Sequence, residues 1–567
     1  MTVAINAIRR LETKIEDLTA AVQTLRGPPP GAPTPAVPST PINATSPAAE
    51  RASDSHPPNA KVQAEGPRNT VLSFSQHRVA LWPAVQQVLP TEFTQARAEL
   101  PQDYIAEIEN ARAALPVHID HPCGTMPNSW LMSLPQSVLK GLADAYFAVF
   151  HRITPILDKS FFYSNTLGVA FENEFGYDIE SCLVLNVLAL GCLAVKAHEE
   201  GDFALPSRRV DVDSARGFVR PDWYELTSDE PPGLKFVNEA RRRSGFLSQT
   251  DLQAGQFYML STSYYSQILR PLDSWVTVNR AALCCTTVLS RTTTINFDDW
   301  EGDMLSRLYW NTLMYETVIT KELDHLPHSG LLDFEPHVPL PRFTSCPRPK
   351  TSIAGLLTDK DDSFFNFHFL AQAAHRIILT RVTQSIYYFA EKKGFPSAGI
   401  TSEMHHQLEQ WRANLPAPLQ FDDNESVDDA PSPAHVVAKA MLRCRYLVAK
   451  FHIGRPFLYK ALHAPDFTND AEYNEVRNGL RGGMYWPTTM GLCAQMLSAL
   501  PLKFGWCCQC FGQVLLFHAV ARSPDPKLRA TLPDGWQEWV QIMIALIESC
   551  GRDSPGISKD AELLRLL

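Results

Sequence analysis

The pattern of apolar and polar positions divides the chain into three parts. In the first, Ile8, Leu11, Ile15, Leu18, Val22 and Leu25 recur at alternating spacings of three and four, which is the a/d seam of a heptad repeat. Isoleucine and valine at a with leucine at d favour a parallel two-stranded coil, so residues 1–26 are expected to form a dimerisation helix. The flanking positions carry few charges (Glu12, Lys14, Arg26), and three heptads are marginal as an isolated coil. The same stripe also fits an amphipathic helix packed on its own body. Between 27 and 69, 11 of the 43 residues are proline and none is aromatic, so this stretch reads as a disordered linker. A linker of that kind favours the dimerising arm over the packed helix.

From about residue 70 to 567 apolar stripes at helical spacing dominate. Leu305, Leu308, Tyr309 and Leu313 mark one, and Phe369, Leu370, Ile377, Ile378 and Val382 another. Strand-like alternation is scarce, and prolines at 231–232, 339–341 and 431–433 punctuate the segments. The fold class expected is all-α: a short N-terminal coiled-coil helix, a disordered proline-rich linker, and one large irregular multi-helix domain. Residues 201–250 and the acidic run 422–429 read as loops, and no period suggests a solenoid.

Composition narrows the class. The richest apolar run, CLVLNVLALGCLAV at 182–195, falls short of the roughly 18–20 residues that cross a bilayer and reads as a buried helix. The first 26 residues are charged throughout, unlike a signal peptide. Of the twelve cysteines, Cys182, Cys192, Cys284, Cys285, Cys444 and Cys493 sit in apolar runs, as small buried hydrophobes of a reducing compartment. An intracellular protein with no membrane partner is expected. The net charge of −10 argues against the body as a nucleic-acid surface.

Chemical motifs are sparse. Cys507, Cys508 and Cys510, with Cys493 upstream, form the densest cysteine group, but adjacent cysteines serve one tetrahedral ion poorly and their neighbours are apolar; buried thiols are expected. His405 and His406 would splay about 100° apart on a helix, and His325 and His328 lack a cysteine partner. There is no nucleophile elbow, no phosphate-binding glycine loop and no dinucleotide fingerprint. Gly479, Gly482 and Gly483 read as a turn, and the arginines at 241–243 as solvated loop charges that make a weak nuclear-import signal. Arg307 and Glu316 suit a buried ionic link. No catalytic residue, metal site or cofactor is expected in this chain.

Several segments together resemble a known family. They are SFSQHRVALWPAVQQVLP (73–90), with Trp82 and Pro83 at its centre; LADAYFAVFHRITPILDKSFF (142–162), with Pro155 and closing Phe162; and the apolar helix at 181–197. They continue with 256–289, where Pro271 and Trp275 separate two helices. Residues 301–341 follow, carrying Arg307, Trp310, Glu316, LPHSG with Pro327 and Gly330, and PLP ending at Pro341. FLAQAAHRIILTRV (369–382), LEQWRANLP (408–416), GRPFLYKALH (454–463), with Arg455 and Pro456, and 501–520 complete the series. In that order they resemble the regulatory region, or fungal-specific transcription factor domain, of fungal binuclear zinc-cluster transcription factors.

The resemblance implies a regulator of RNA polymerase II genes that is nuclear or shuttles between nucleus and cytoplasm. It would pair as a homodimer or heterodimer through residues 1–26 and contact the transcription machinery. Members of the family read DNA with six cysteines that share two zinc ions. Here the first cysteine is Cys123, so DNA contact is expected only through an upstream module or a partner. A helical interaction or small-molecule-sensing regulator that pairs with a full-length factor is the alternative.

Overall fold

The computed structural model describes residues 72–117, 129–206, 217–245, 249–291, 294–347, 362–387, 396–421, 431–484 and 493–567. The helix expected over 1–26, with the seam from Ile8 to Leu25, the linker expected over 27–69 and the acidic run at 422–429 lie outside the described residues. The remainder, from Val71 to Leu567, clusters as one unit. No strand occurs among the described residues, so the fold is all-α.

The helices that build the core, numbered in chain order, begin with α1 (Pro83–Val88), α2 (Thr91–Ala98), α3 (Tyr104–Asn110) and α4 (Gln136–Ile153). Next come α5 (Ile179–Glu200), α6 (Leu234–Ser244), α7 (Leu252–Gln267), α8 (Pro271–Arg291) and α9 (Trp300–Glu322). The second half holds α10 (Asp362–Val382), α11 (Ala398–Ala413), α12 (Pro433–His463), α13 (Asp470–Met484), α14 (Lys503–Ala521), α15 (Trp536–Gly551) and α16 (Pro555–Leu564).

The apolar run at 182–195 lies inside α5, which is buried around almost its whole circumference, as expected of a helix without a polar face. Asp178 caps it by accepting from the Ser181 amide at 2.7 Å. α4, α6 and α7 pack around it. α4 comes so near that a Cβ on Gly191 would lie 2.3 Å from the Leu142 carbonyl oxygen, so only glycine fits there. With their flanks, α5 and α14 are long and apolar enough to cross a membrane, which corrects the shorter estimate from the run alone. In each, 83% of the most apolar window is buried in the body, the position of a core helix.

Two expected loops are helices instead. Residues 201–250 contain α6, whose Phe236, Val237 and Ala240 are buried, so the arginines at 241–243 lie on a helix rather than a loop: Arg241 and Arg242 are exposed, and Arg243 is not a solvated charge. Arg243 is fully buried and ion-paired with fully buried Glu239 one turn earlier; its Nε also donates to the Phe175 carbonyl at 2.9 Å. Gly479, Gly482 and Gly483 belong to α13 rather than to a turn. Gly479 and Gly482 let α13 lie against α12, where a Cβ on Gly454 would stand 2.7 Å from the Glu475 carbonyl oxygen, while Gly483 faces Phe517 of α14.

The α6 ion pair generates a test. Glu239→Ala leaves the Arg243 guanidinium buried without its carboxylate and is expected to lower unfolding free energy by about 3–5 kcal/mol in urea melts. The double variant Glu239→Leu/Arg243→Met, which removes both charges, should recover most of that loss.

Candidate functional site

Most of the described residues singled out from the sequence fall into two clasps. In the first, α9 binds the chain that returns after it. Asp303, 1% exposed, accepts from the amides of Arg342 at 2.6 Å, Phe343 at 3.0 Å and Thr344 at 3.0 Å, and from Arg307 Nε at 2.8 Å. The Trp310 indole donates to the Pro339 carbonyl at 3.1 Å, just before buried Pro341. Glu316 accepts from the Ser329 amide at 2.5 Å, beside Gly330 with φ of +81°, and the Trp275 indole reaches the Pro327 carbonyl at 3.4 Å. The expected Arg307–Glu316 link therefore does not form. Nine residues along one helix separate the two by about 13.5 Å, whereas Asp303 lies one turn from Arg307.

In the second clasp, the lead-in at 73–78 is held inside the body. Ser75 and Gln76 are 2% and 0% exposed although they precede the first helical turn at His77–Leu81. Buried backbone outside a helix must find its hydrogen bonds elsewhere. Arg455 of α12 donates to the carbonyls of Phe74 and Ser75, both at 3.1 Å. Glu322, closing α9, accepts from the Gln76 amide at 3.3 Å and from Gln509 Nε2 of α14 at 2.6 Å, and its carbonyl takes the Ser75 hydroxyl at 2.9 Å. Asp324 holds the Ser73 hydroxyl at 2.5 Å and Arg78 Nε at 3.0 Å. Asp560 of α16 faces His77 Nε2 at 2.9 Å and accepts from the Tyr104 hydroxyl. Arg455 also stacks over Trp82, 5.3 Å from its ring centre, so two motifs far apart in sequence meet here. Pro83 opens α1, and Pro456 sits buried inside α12. Pro155 is buried in the turn after α4, and Phe162 packs 5.2 Å from Phe147.

A cavity of about 120 Å³ lies against the lead-in, with Phe74 in its wall. Met314, Val318, Leu379, Met441, Val448 and Leu502 make its apolar lining, while Lys321, Arg376 and Arg445 bring cationic groups to it. The Lys321 stem is partly exposed, but Nζ is enclosed, has no hydrogen-bond partner among the described residues, and lies 4.2 Å from the Phe74 ring centre. Burial, reinforced by Arg376, pushes the Lys321 ammonium down to about 7. Burial also raises the Glu322 carboxyl to about 7, against the donors from Gln509 and Gln76. By contrast, Arg376 is paired with Glu335, and Arg445 Nε donates to Gln372 at 3.3 Å. Reasoning from sequence missed Lys321 and Glu322. The one available signal was a charged pair ending an otherwise apolar stripe, which reads equally well as a solvated helix end.

The cysteines at 493, 507, 508 and 510 are buried, as expected. His77, Glu322 and Cys508 bring three potential ligand atoms within 4.8 Å of one another, but His77 and Glu322 are engaged in the clasp and burial raises the Cys508 thiol well above its ordinary range. That chemistry suits a structural lock. Compared with known proteins, the chain matches no family model, no curated protein and no solved structure.

The shift at Lys321 has a signed consequence. A lysine held near 7 in the folded protein and near 10.5 when unfolded makes stability rise with pH across that window, with the cost of the buried ammonium complete below it. Lys321→Met should therefore melt about 2–4 °C higher than the parent at pH 6. The gap should narrow as the pH is raised from 7 towards 10 in calorimetric scans.

Proposed function

We propose that this protein is a nuclear regulator of transcription of the fungal zinc-cluster kind, whose helical body receives a signal and whose residues 1–26 pair copies or join a full-length partner. DNA contact in this reading comes through a zinc-bearing module or partner, and the chain itself is a regulator and not an enzyme. The order of the motifs supports the family reading. So does their arrangement: residues chosen from separate motifs, such as Trp82 with Arg455, lie against each other in an all-α body.

The observation that carries the regulatory part is the lead-in itself. The stretch by which the preceding residues join the body is gripped by Glu322 of α9, Arg455 of α12 and Asp560 of α16, stacks through His77 on Phe511 of α14, and walls a cavity. A change in the cavity therefore acts directly on that stretch, which favours the sensing form of the reading. Cys444, whose thiol lies in the cavity wall, is pushed well above its ordinary range by burial, so it suits a wall better than a nucleophile.

The test is a fungal reporter strain in which the full chain is fused to an unrelated DNA-reading module. Reporter output several-fold above or below that of the module alone is expected. Output equal to the module alone, with the fusion present in the nucleus, contradicts the reading.

A further inference from the structure

We propose that the cavity beside Phe74 binds a small apolar monocarboxylate, with its carboxylate on Lys321 Nζ and its hydrocarbon against Met314, Leu379, Met441 and Val448. The site deepens the regulatory reading and rests on it for its purpose, while binding itself is measured without transcription.

Size, charge and lining each restrict the ligand. An apolar cavity of about 150 Å³ accommodates benzene, so the roughly 120 Å³ here suits one ring or a short chain. The enclosed ammonium of Lys321 has no hydrogen-bond partner among the described residues, and an unpaired buried charge is costly until an anion meets it. Arg376 and Arg445 add positive potential, and neither needs to surrender its partner, Glu335 or Gln372, to do so. The one carboxylate in the lining, Glu322, is turned to the Gln76 amide and to Gln509. One ammonium left over matches a single negative charge. A dianion or a sugar would need more free donors than this mostly apolar lining offers.

The groups facing Lys321 come from every packed element. They are Glu322 on its own helix, His375 and Arg376 on α10, Arg445 on α12, Gln509 on α14 and the Phe74 ring of the lead-in. Burial holds the His375 imidazole well below its ordinary range, so it stays neutral and does not compete for the anion. A carboxylate on Lys321 would also sit under Phe74, whose carbonyl is held by Arg455, placing the ligand in reach of the lead-in clasp.

The experiment is titration calorimetry on the full chain with phenylacetate and a straight-chain series from acetate to decanoate, each beside its neutral amide. Saturable acid binding is expected, tightening roughly fourfold per methylene up to about hexanoate or octanoate and weakening beyond. The amides should bind at least tenfold more weakly. Lys321→Met, which is expected to fold with raised stability, should lose the acids by tenfold or more. Leu379→Trp, which fills the cavity and keeps the ammonium, should lose them as well. Acids that bind no better than amides, unchanged binding to either variant, or no binding to the folded parent would each overturn the proposal. Acid binding without reporter output would leave the site standing and sink the regulatory reading, and reporter output without acid binding would do the reverse.

Discussion

A stretch of backbone buried outside any helix has to have its amides and carbonyls met by side chains, and residues 73–76, just before the first helical turn, impose that constraint on the whole body. Arg455, Glu322 and Asp560 come from three helices that share little sequence proximity, yet all converge on this short run, and Gln509 from a fourth braces Glu322. Their own burial would be expensive alone. Gathered around unpaired backbone groups and around one another, they form a connected polar network inside an otherwise apolar body, where each hydrogen bond is strengthened by low local dielectric. The Asp303 clasp obeys the same logic on a smaller scale, with three successive amides after Pro341 satisfied by one buried carboxylate.

How much of this was legible in the sequence depends on whether the controlling contact is local. The all-α class follows from apolar periodicity and α5 from an unbroken apolar run, both of which are local signals. Trp82 and Arg455 could be picked out as unusual residues, but their contact spans most of the chain and no spacing rule reaches that far. Arg243 was misread as a solvated loop charge because polar composition was weighed above position; Glu239 lies four residues before it, a helical spacing that was available, while Arg241 and Arg242 of the same helix are exposed. Arg307 and Glu316 were paired by proximity in sequence, without the rise per residue that keeps them apart. Lys321 was hidden for a different reason: a lysine near a helix end is normally solvated, and only the convergence of α10, α12 and the lead-in encloses it.

The clasp and the cavity are two aspects of one arrangement. Phe74 is fixed by its carbonyl to Arg455 and offers its ring to the cavity, so the group that would feel a ligand is the group that anchors the lead-in. An occupant that interacts differently with the gripped and released states of this stretch shifts their balance by its differential affinity and by nothing else. The enclosed ammonium supplies such a difference, since its cost falls when an anion pairs with it.

The most direct measurement of this account is amide hydrogen exchange across residues 72–81, in the parent and in Arg455→Leu. The account predicts that the parent segment exchanges as slowly as the amides of α5, and that the variant loses this protection while α5 keeps its own. A parent segment exchanging as fast as the exposed turn around Phe467, which is 79% exposed, would contradict the claim that the lead-in is locked into the body.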